Sequence, residues 1–532
     1  MKQPALLNAV RKSIVLPLLF TGAAAIAQPT MMGRGQQQQL DPIIEKMTKE
    51  AKESSQLKSL AHHLLDKIGP RLTGTPQMKM ANDWVAEKYK EWGIKAELQK
   101  TGEWTGWERG ITHIDLITPR SNSLHGRQLA YSPTTNGKTV NGEVVVIPEV
   151  ADKAAFDKWL GTVKGKFVLI SQVPVSGRSD VNWKEFGTQE SIDNNRKEQL
   201  ESTQAWMKRI TNSGYTNATL VGALENAGAA GVIICNWSRE FGANKVFSAT
   251  TKKVPHLDLS VEDYGMLFRL AESGSKPTIA VRAESKHTAN VPMFNTIATI
   301  PGTEKPNEYV ILSAHLDSWD GATGATDNGT GTITMMEAAR ILKKYYPNPK
   351  RTIIIGHWAF EEGGLNGSRA FVEDHPQIVK NVQAVFNQDN GTGRVVDVSG
   401  SGFLHSYSYI TRWLNQVPNE VRQHIKSTFP GSPAGGGSDH SSFIAAGAPA
   451  FSLSSLSWGY GTITWHTNLD TYDKIVWDDV TNNVILTAAL AYLASEDPEK
   501  TSNEKAILPS NPRTGQPGQW PAQASPKRSP NQ

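Results

Sequence analysis

Tyr309-Val310-Ile311-Leu312-Ser313-Ala314-His315-Leu316-Asp317 reads as a short apolar run that breaks into a histidine and an acid. A run this short and apolar predicts a strand covered on both faces, and its carboxyl end is where open α/β sheets bind ligands. Three more such runs follow, at Thr352 to Gly356, Gln383 to Phe386 and Ala450 to Leu453. Between the first two, Met335, Ala338, Ala339, Leu342 and Tyr346 recur at helical spacing, which predicts a helix with one buried face. Strands alternating with helices predict an α/β fold: a mixed, largely parallel sheet with helices on both faces and right-handed crossovers. Val484, Ala488, Ala491 and Tyr492 mark a last helix after Asp478-Asp479. Upstream, Thr75-Pro76 reads as an N-cap followed by the first helical residue. Met78, Ala81, Val85, Tyr89 and Trp92 keep one apolar face up to Gly93, and Lys95 to Lys100 looks like a strand.

Between about Leu129 and Ala289 the pattern changes to short strands, at Val144 to Ile147, Phe167 to Ile170 and Val232 to Cys235, interrupted by a polar, charged stretch from Ser176 to Thr216. Because the α/β pattern resumes at Asn295, this block reads as a small α/β domain inserted into the first. The expected organisation is therefore a split catalytic domain over 41–128 and 290–500, with an insert at 129–289. At the start, Lys2, Arg11 and Lys12 precede an apolar run to Ala27 that ends in Ala25-Ile26-Ala27, a secretory signal pattern over 1–27. Residues 28–40 and the proline-bearing tail 508–532 are expected to be disordered, being too polar to repay ordering. The chain should then be secreted or periplasmic, with no membrane association after signal removal.

Composition narrows the chemistry. The 532 residues carry 55 Lys and Arg against 51 Asp and Glu, and the excess cations lie in the leader and the tail, so nothing suggests nucleic-acid binding. Cys235 is the one cysteine, which excludes a disulfide framework and any cysteine-rich zinc module. A metal site must use His, Asp and Glu.

Those residues sit at successive strand ends. His315 and Asp317 follow the first strand, Asp327-Asn328-Gly329 precedes the amphipathic helix, and Glu361-Glu362 follows the second strand. Asp389 follows the third, and a loop after the fourth carries His466-Thr467. Two imidazoles and three carboxylates (His315, Asp327, Glu362, Asp389, His466) suit two zinc ions sharing a carboxylate, with Asp327, on what reads as a tight Asn-Gly turn, as the natural bridge. Two such metals, about 3.5 to 4 Å apart, can polarise a carbonyl and acidify a water together. Asp317 can accept the other N–H of His315 and set its tautomer. If the Glu361-Glu362 segment is extended, neighbouring side chains point apart, so one glutamate binds metal and the other moves protons.

Other features carry less. A carboxylate at a strand end is by itself an ordinary solvated group, and His357, inside a strand, reads as a hydrogen-bonded core residue. Gly435-Gly436-Gly437 lacks the ending of a phosphate loop, and Ser438-Asp439-His440-Ser441 lacks the glycine elbow of a serine nucleophile.

The set His315-x-Asp317, Asp327-Asn328-Gly329, Glu361-Glu362, Asp389, Ser438-Asp439-His440 and His466-Thr467 with Asp470-Thr471 resembles the zinc exopeptidases of family M28. The resemblance implies their phosphorylase/hydrolase-like fold and two Zn2+ ions. His315 and Asp389 would hold one ion, Glu362 and His466 the other, with Asp327 bridging and Glu361 the general base. It also implies a cis Asp327–Asn328 peptide. The insert, through Lys164 to Ile170, Ala227 to Ile234 and Val254 to Ser260, resembles a protease-associated domain. His315 to Asp320 with Gly69 to Gly74 looks nearest the carboxypeptidase Q-like branch, which implies dipeptide substrates and a homodimer. One feature departs: several members place a Tyr shortly before the Ser-Asp-His motif to stabilise the oxyanion, whereas Pro430 to Gly435 stands here. Tyr460 or His440 could substitute, beside Asp439, in the substrate pocket.

The expected activity is metal-assisted hydrolysis at the ends of short peptides or in dipeptides, by an aminopeptidase or dipeptidase. A glutaminyl cyclase-like acyltransferase and a non-catalytic receptor on the same fold are the alternatives. The first generally binds one zinc, and the second loses ligands that this chain keeps.

Overall fold

The computed structural model describes residues 40–510 and 512–531, so the signal expected at 1–27 and nearly all of 28–40 lie outside the described residues. The stretch that opens the analysis forms the strand Lys305–His315, and its inner residues Val310, Ile311, Leu312 and Ala314 are fully buried. It pairs in parallel with Arg351–Trp358 on one side and Val382–Asn387 on the other, and Ala450–Ser452 adds in parallel beyond the latter. Thr278–Ile300 closes the other side antiparallel, making the sheet mixed but largely parallel. The helices Thr330–Tyr345 and Trp477–Glu496 pack against each other and against Lys305–His315, which buries almost every residue of Arg351–Trp358 and Val382–Asn387. Four parallel strands thus deliver their carboxyl ends to one edge.

The helix Pro76–Glu91 starts as its sequence indicates. The Thr75 side chain accepts from the Met78 N–H at 3.2 Å, and Gly93 takes a left-handed φ of 72° at the stop. The strand that follows is much longer than Lys95 to Lys100. It runs from Lys95 to Thr118 and pairs antiparallel along its length with Thr278–Ile300, with several bulges. The core end of this ribbon belongs to the sheet of the parallel strands. Its far end pairs Val281 with Val140 and opens a second set of short strands, Val140–Val146, Phe167–Leu169, Gly231–Ile234 and His256–Leu259, mutually parallel and carrying their own apolar cluster. The polar stretch from Ser176 is largely helical, as Asp180–Phe186 and Gln189–Ser213.

The insert returns to the edge where the parallel strands end. The Val246 N–H donates to the His466 carbonyl at 2.8 Å, and Lys245 bridges Thr467. Arg109 on the ribbon holds Asp320, just beyond the first strand end, through two bonds of 2.7 and 2.8 Å.

The tail corrects an expectation. Polar and proline-bearing as 508–532 is, the structure lays it against the catalytic domain through a few strong anchors. Trp520 packs on Phe403 at 5.4 Å between ring centroids, Pro526 is buried, and the Arg528 guanidinium reaches Glu373 at 2.9 Å and Asp374 at 2.8 Å. Average composition understates what one Trp and one bidentate Arg can do when both find partners.

Candidate active site

The strand ends converge. His315 Nε2 lies 3.0 Å from Asp389 Oδ1 and 3.4 Å from Asp327 Oδ1, while His466 Nε2 lies 3.2 Å from Asp327 Oδ2 and 2.9 Å from Glu362 Oε2. The two oxygens of Asp327 therefore face the two imidazoles separately. Potential ligand atoms gather as His315, Glu361 and Asp389 in one group and Asp327, Glu362 and His466 in another, each within 4.8 Å of one another.

Local folding explains how each arrives. Asp327 is not on an Asn-Gly turn: Gly329 is helical, and the kink lies at Asp327 and Asn328, whose peptide bond is cis, at the entry to the helix Thr330–Tyr345. Asp470 holds that kink, since its carboxylate accepts from the Thr326 N–H at 2.8 Å and the Asp327 N–H at 3.0 Å. The glutamate pair is not extended either. The Glu361 carbonyl accepts from Gly364 and Leu365 N–H, both at 2.8 Å, in a turn so tight that a Cβ at Gly363 would lie 1.9 Å from the Phe360 ring. The pair nevertheless diverges, Glu361 to the His315 group and Glu362 to the His466 group.

Asp317 acts differently from expectation. The His315 Nδ1–H donates to its main-chain carbonyl at 3.0 Å, while its carboxylate stands 3.6 Å away. The carboxylate instead accepts from the Glu361 and Glu362 N–H groups at 3.0 and 3.3 Å, fixing the turn that aims both glutamates. His466 is held by aromatic rings: Trp465 stacks on it at 4.0 Å, Phe247 of the insert meets it edge-on at 5.2 Å, and Trp319 lies at 6.0 Å.

Electrostatics follow from this crowding of acids. Burial pushes Glu361 well above the usual carboxylate range, against the pull of His315 and with the help of Asp389, Asp439 and Glu362. Burial, together with Asp327, pushes Glu362 up to about 7. Burial opposes charge on the imidazoles, yet Asp389 and Glu361 raise His315 well above its ordinary value, and Asp327 and Glu362 carry His466 up to about 9. Burial would also raise Asp327, but its two histidine partners hold it low.

More buried carboxylate than imidazole is present, and Asp327 Oδ2 and Glu362 Oε1 are buried without a hydrogen-bond partner among the described residues. Hard oxygen donors and imidazoles in this ratio fit divalent zinc, which would remove the repulsion that burial imposes.

The remaining candidates border this centre. Asp439, at the start of the short helix His440–Ala445, has both oxygens buried without partners and is pushed up to about 7 by burial. His440 is lowered to about 4 by burial, so it is neutral at physiological pH. Burial, with Asp327, Asp389 and Glu362 nearby, holds the Tyr460 phenol protonated, a state in which it can donate. His357 is a core residue, its Nε2 2.7 Å from the Tyr89 hydroxyl.

Sequence reasoning did not single out Arg71. Fully buried, it donates to the carbonyls of Leu316 at 2.6 Å, Thr323 at 2.7 Å, Gly324 at 2.9 Å and Gly69 at 3.3 Å, stapling the loops that carry His315 and Asp327. Arg71→Ala leaves these buried acceptors bare and is expected to cost about 3 kcal/mol or more of stability. Denaturant unfolding reads the loss, and a cost below about 1 kcal/mol would contradict the stapling role.

Buried imidazoles and carboxylates at the carboxyl edge of a parallel sheet, arranged for metal, suit a metal-dependent hydrolase. Residues 295–491 match the sequence profile of peptidase family M28. The chain is 27% identical to carboxypeptidase Q of Xenopus laevis over 389 residues, 73% of this chain and 75% of that protein. The fold is shared with a peptidase M28 precursor from Shewanella amazonensis, at 22% identity and a TM-score of 0.63, covering 88% of this chain and 98% of that one. It is also shared with a zinc aminopeptidase from Bacillus subtilis, at 20% identity and a TM-score of 0.54, covering 84% and 96%. As a metallopeptidase, the protein takes peptides as substrates.

Proposed function

We propose that the protein is a di-zinc exopeptidase, secreted or periplasmic, that hydrolyses dipeptides or releases terminal residues from short peptides. The observation that carries this reading is Asp327, whose two oxygens stand 3.4 and 3.2 Å from His315 and His466. His315 and Asp389 would hold one ion, Glu362 and His466 the other, with Asp327 shared. Bound zinc supplies Lewis-acid polarisation of the scissile carbonyl and a water acidic enough to attack near neutral pH. Glu361 takes a proton from the attacking water and passes it to the leaving amine, being the carboxylate of the pair that the assignment of Glu362 to metal leaves free. Tyr460, protonated at the same edge, is the donor we assign to the developing oxyanion, in place of the tyrosine that several M28 members carry before the Ser-Asp-His motif. Asp317 and Asp470 position the glutamate turn and the Asp327 kink.

The insert at 129–289, a short parallel sheet reached through the ribbon, is read as a protease-associated domain. Its contacts with His466, through Val246 and Phe247, support a role in narrowing the cleft. Relationship to carboxypeptidase Q supports a preference for short substrates. The secretory reading rests on residues 1–27, and among the described residues no helix is long and apolar enough to cross a membrane.

A peptide-library digest tests the reading. Short peptides with free ends should be cleaved in zinc and spared after chelation, whereas efficient cleavage inside long, end-blocked peptides would contradict an exopeptidase. Transfer to an amine or cyclisation without hydrolysis would favour the acyltransferase alternative.

A further inference from the structure

The catalytic edge opens into a cavity of about 700 Å³, a size typical of small-ligand sites, with Asp317 and Glu362 on its floor. One wall comes from the end of the chain, because Lys527 and Pro530 line it. The strap is seated tightly there. The Lys527 N–H donates to Asn366 Oδ1 at 2.7 Å, the Arg528 carbonyl accepts from the Glu103 N–H at 2.9 Å, and a Cβ on Gly102 would lie 2.4 Å from that carbonyl. Only a glycine at 102 lets the strap cross the ribbon so closely.

The insert contributes Lys252 and Lys253 to the same lining. Their backbone is held by Glu225, whose Oε1 accepts from the N–H groups of Lys252, Lys253 and Val254 at 2.8, 2.7 and 3.2 Å. All three lysines are exposed at the cavity, and none forms an ion pair among the described residues; Lys253 Nζ donates to Asn226 Oδ1 at 3.0 Å. The cavity is therefore lined by carboxylates and by lysines, the lysines coming from two segments distant in sequence.

We propose that the C-terminal strap is a wall of the substrate cleft, and that Lys527, with Lys252 and Lys253, binds the free α-carboxylate of a short peptide whose scissile bond lies at the Glu362 end. The inference rests on the exopeptidase reading and deepens it by naming what recognises the far end of the substrate. A charge-assisted bond to a carboxylate is worth more than one to a neutral amide, so the lysines discriminate in binding and not in the chemical step. The strap also fixes how much peptide fits, because a longer chain meets Pro530.

The test uses the full-length, zinc-loaded enzyme with a dipeptide and its C-terminal amide. Lys527→Ala should raise KM for the free acid about five- to tenfold while leaving kcat, and KM for the amide, unchanged. Lys527→Arg should restore most of the acid preference, and Lys252→Ala with Lys253→Ala should repeat the effect. Deleting 521–532 leaves Trp520 on Phe403 and should add activity on longer peptides. Equal changes for acid and amide, or none for either, would overturn the proposal while leaving the peptidase reading intact. A wild-type enzyme that cleaves neither substrate would overturn both.

Discussion

Glu361→Gln is expected to keep its full metal content and lose about 10²- to 10⁴-fold in turnover, about 3 to 5 kcal/mol of barrier. The amide matches the carboxylate in size, so the turn held by Asp317 and the Gly364 and Leu365 N–H groups should persist. What it cannot do is accept a proton. Zinc analysis beside steady-state kinetics reads both effects. Loss of zinc from Glu361→Gln with retention in Glu362→Gln would mean that the two glutamates exchange roles, and near-normal turnover with zinc retained would exclude Glu361 as the base.

Asp327→Asn should have the opposite signature, losing metal and activity together. The amide presents one oxygen and one NH2 group where two anionic oxygens face His315 and His466, so one histidine meets a donor that cannot share a cation with it. Removing a shared anionic ligand should cost several kcal/mol of transition-state stabilisation, on the order of 10³-fold in rate or more. The fold should survive, because the kink is held through the backbone: Asp470 accepts from the Thr326 and Asp327 N–H groups, which the substitution leaves in place. A variant with both ions and near-normal rate would exclude the bridge.

The parts of the site that could be read in the sequence are those that interrupt a pattern. A buried strand must be apolar, so the residue where the run stops announces the sheet edge, and His315, Glu362 and Asp389 all stand at such stops. The parts that escaped work through the main chain. Arg71 binds carbonyls of Leu316, Thr323 and Gly324, some 250 residues away, and any residue type could have supplied them. Asp317 was legible as a partner of His315, but the partnership runs through its carbonyl, and its carboxylate serves a turn whose shape depends on Gly363. The tail misled for a related reason. Its composition reads as unfoldable, and the groups that seat it, Phe403, Asn366, Glu373 and Gly102, belong to distant elements with no sequence link to it.

The shared carboxylate is tested most directly by zinc anomalous diffraction from crystals of the enzyme grown with zinc. The account predicts two peaks about 3.5 to 4 Å apart, one flanked by His315 and Asp389, the other by Glu362 and His466, with Asp327 touching both. A single peak, or two peaks of which Asp327 touches only one, would contradict it.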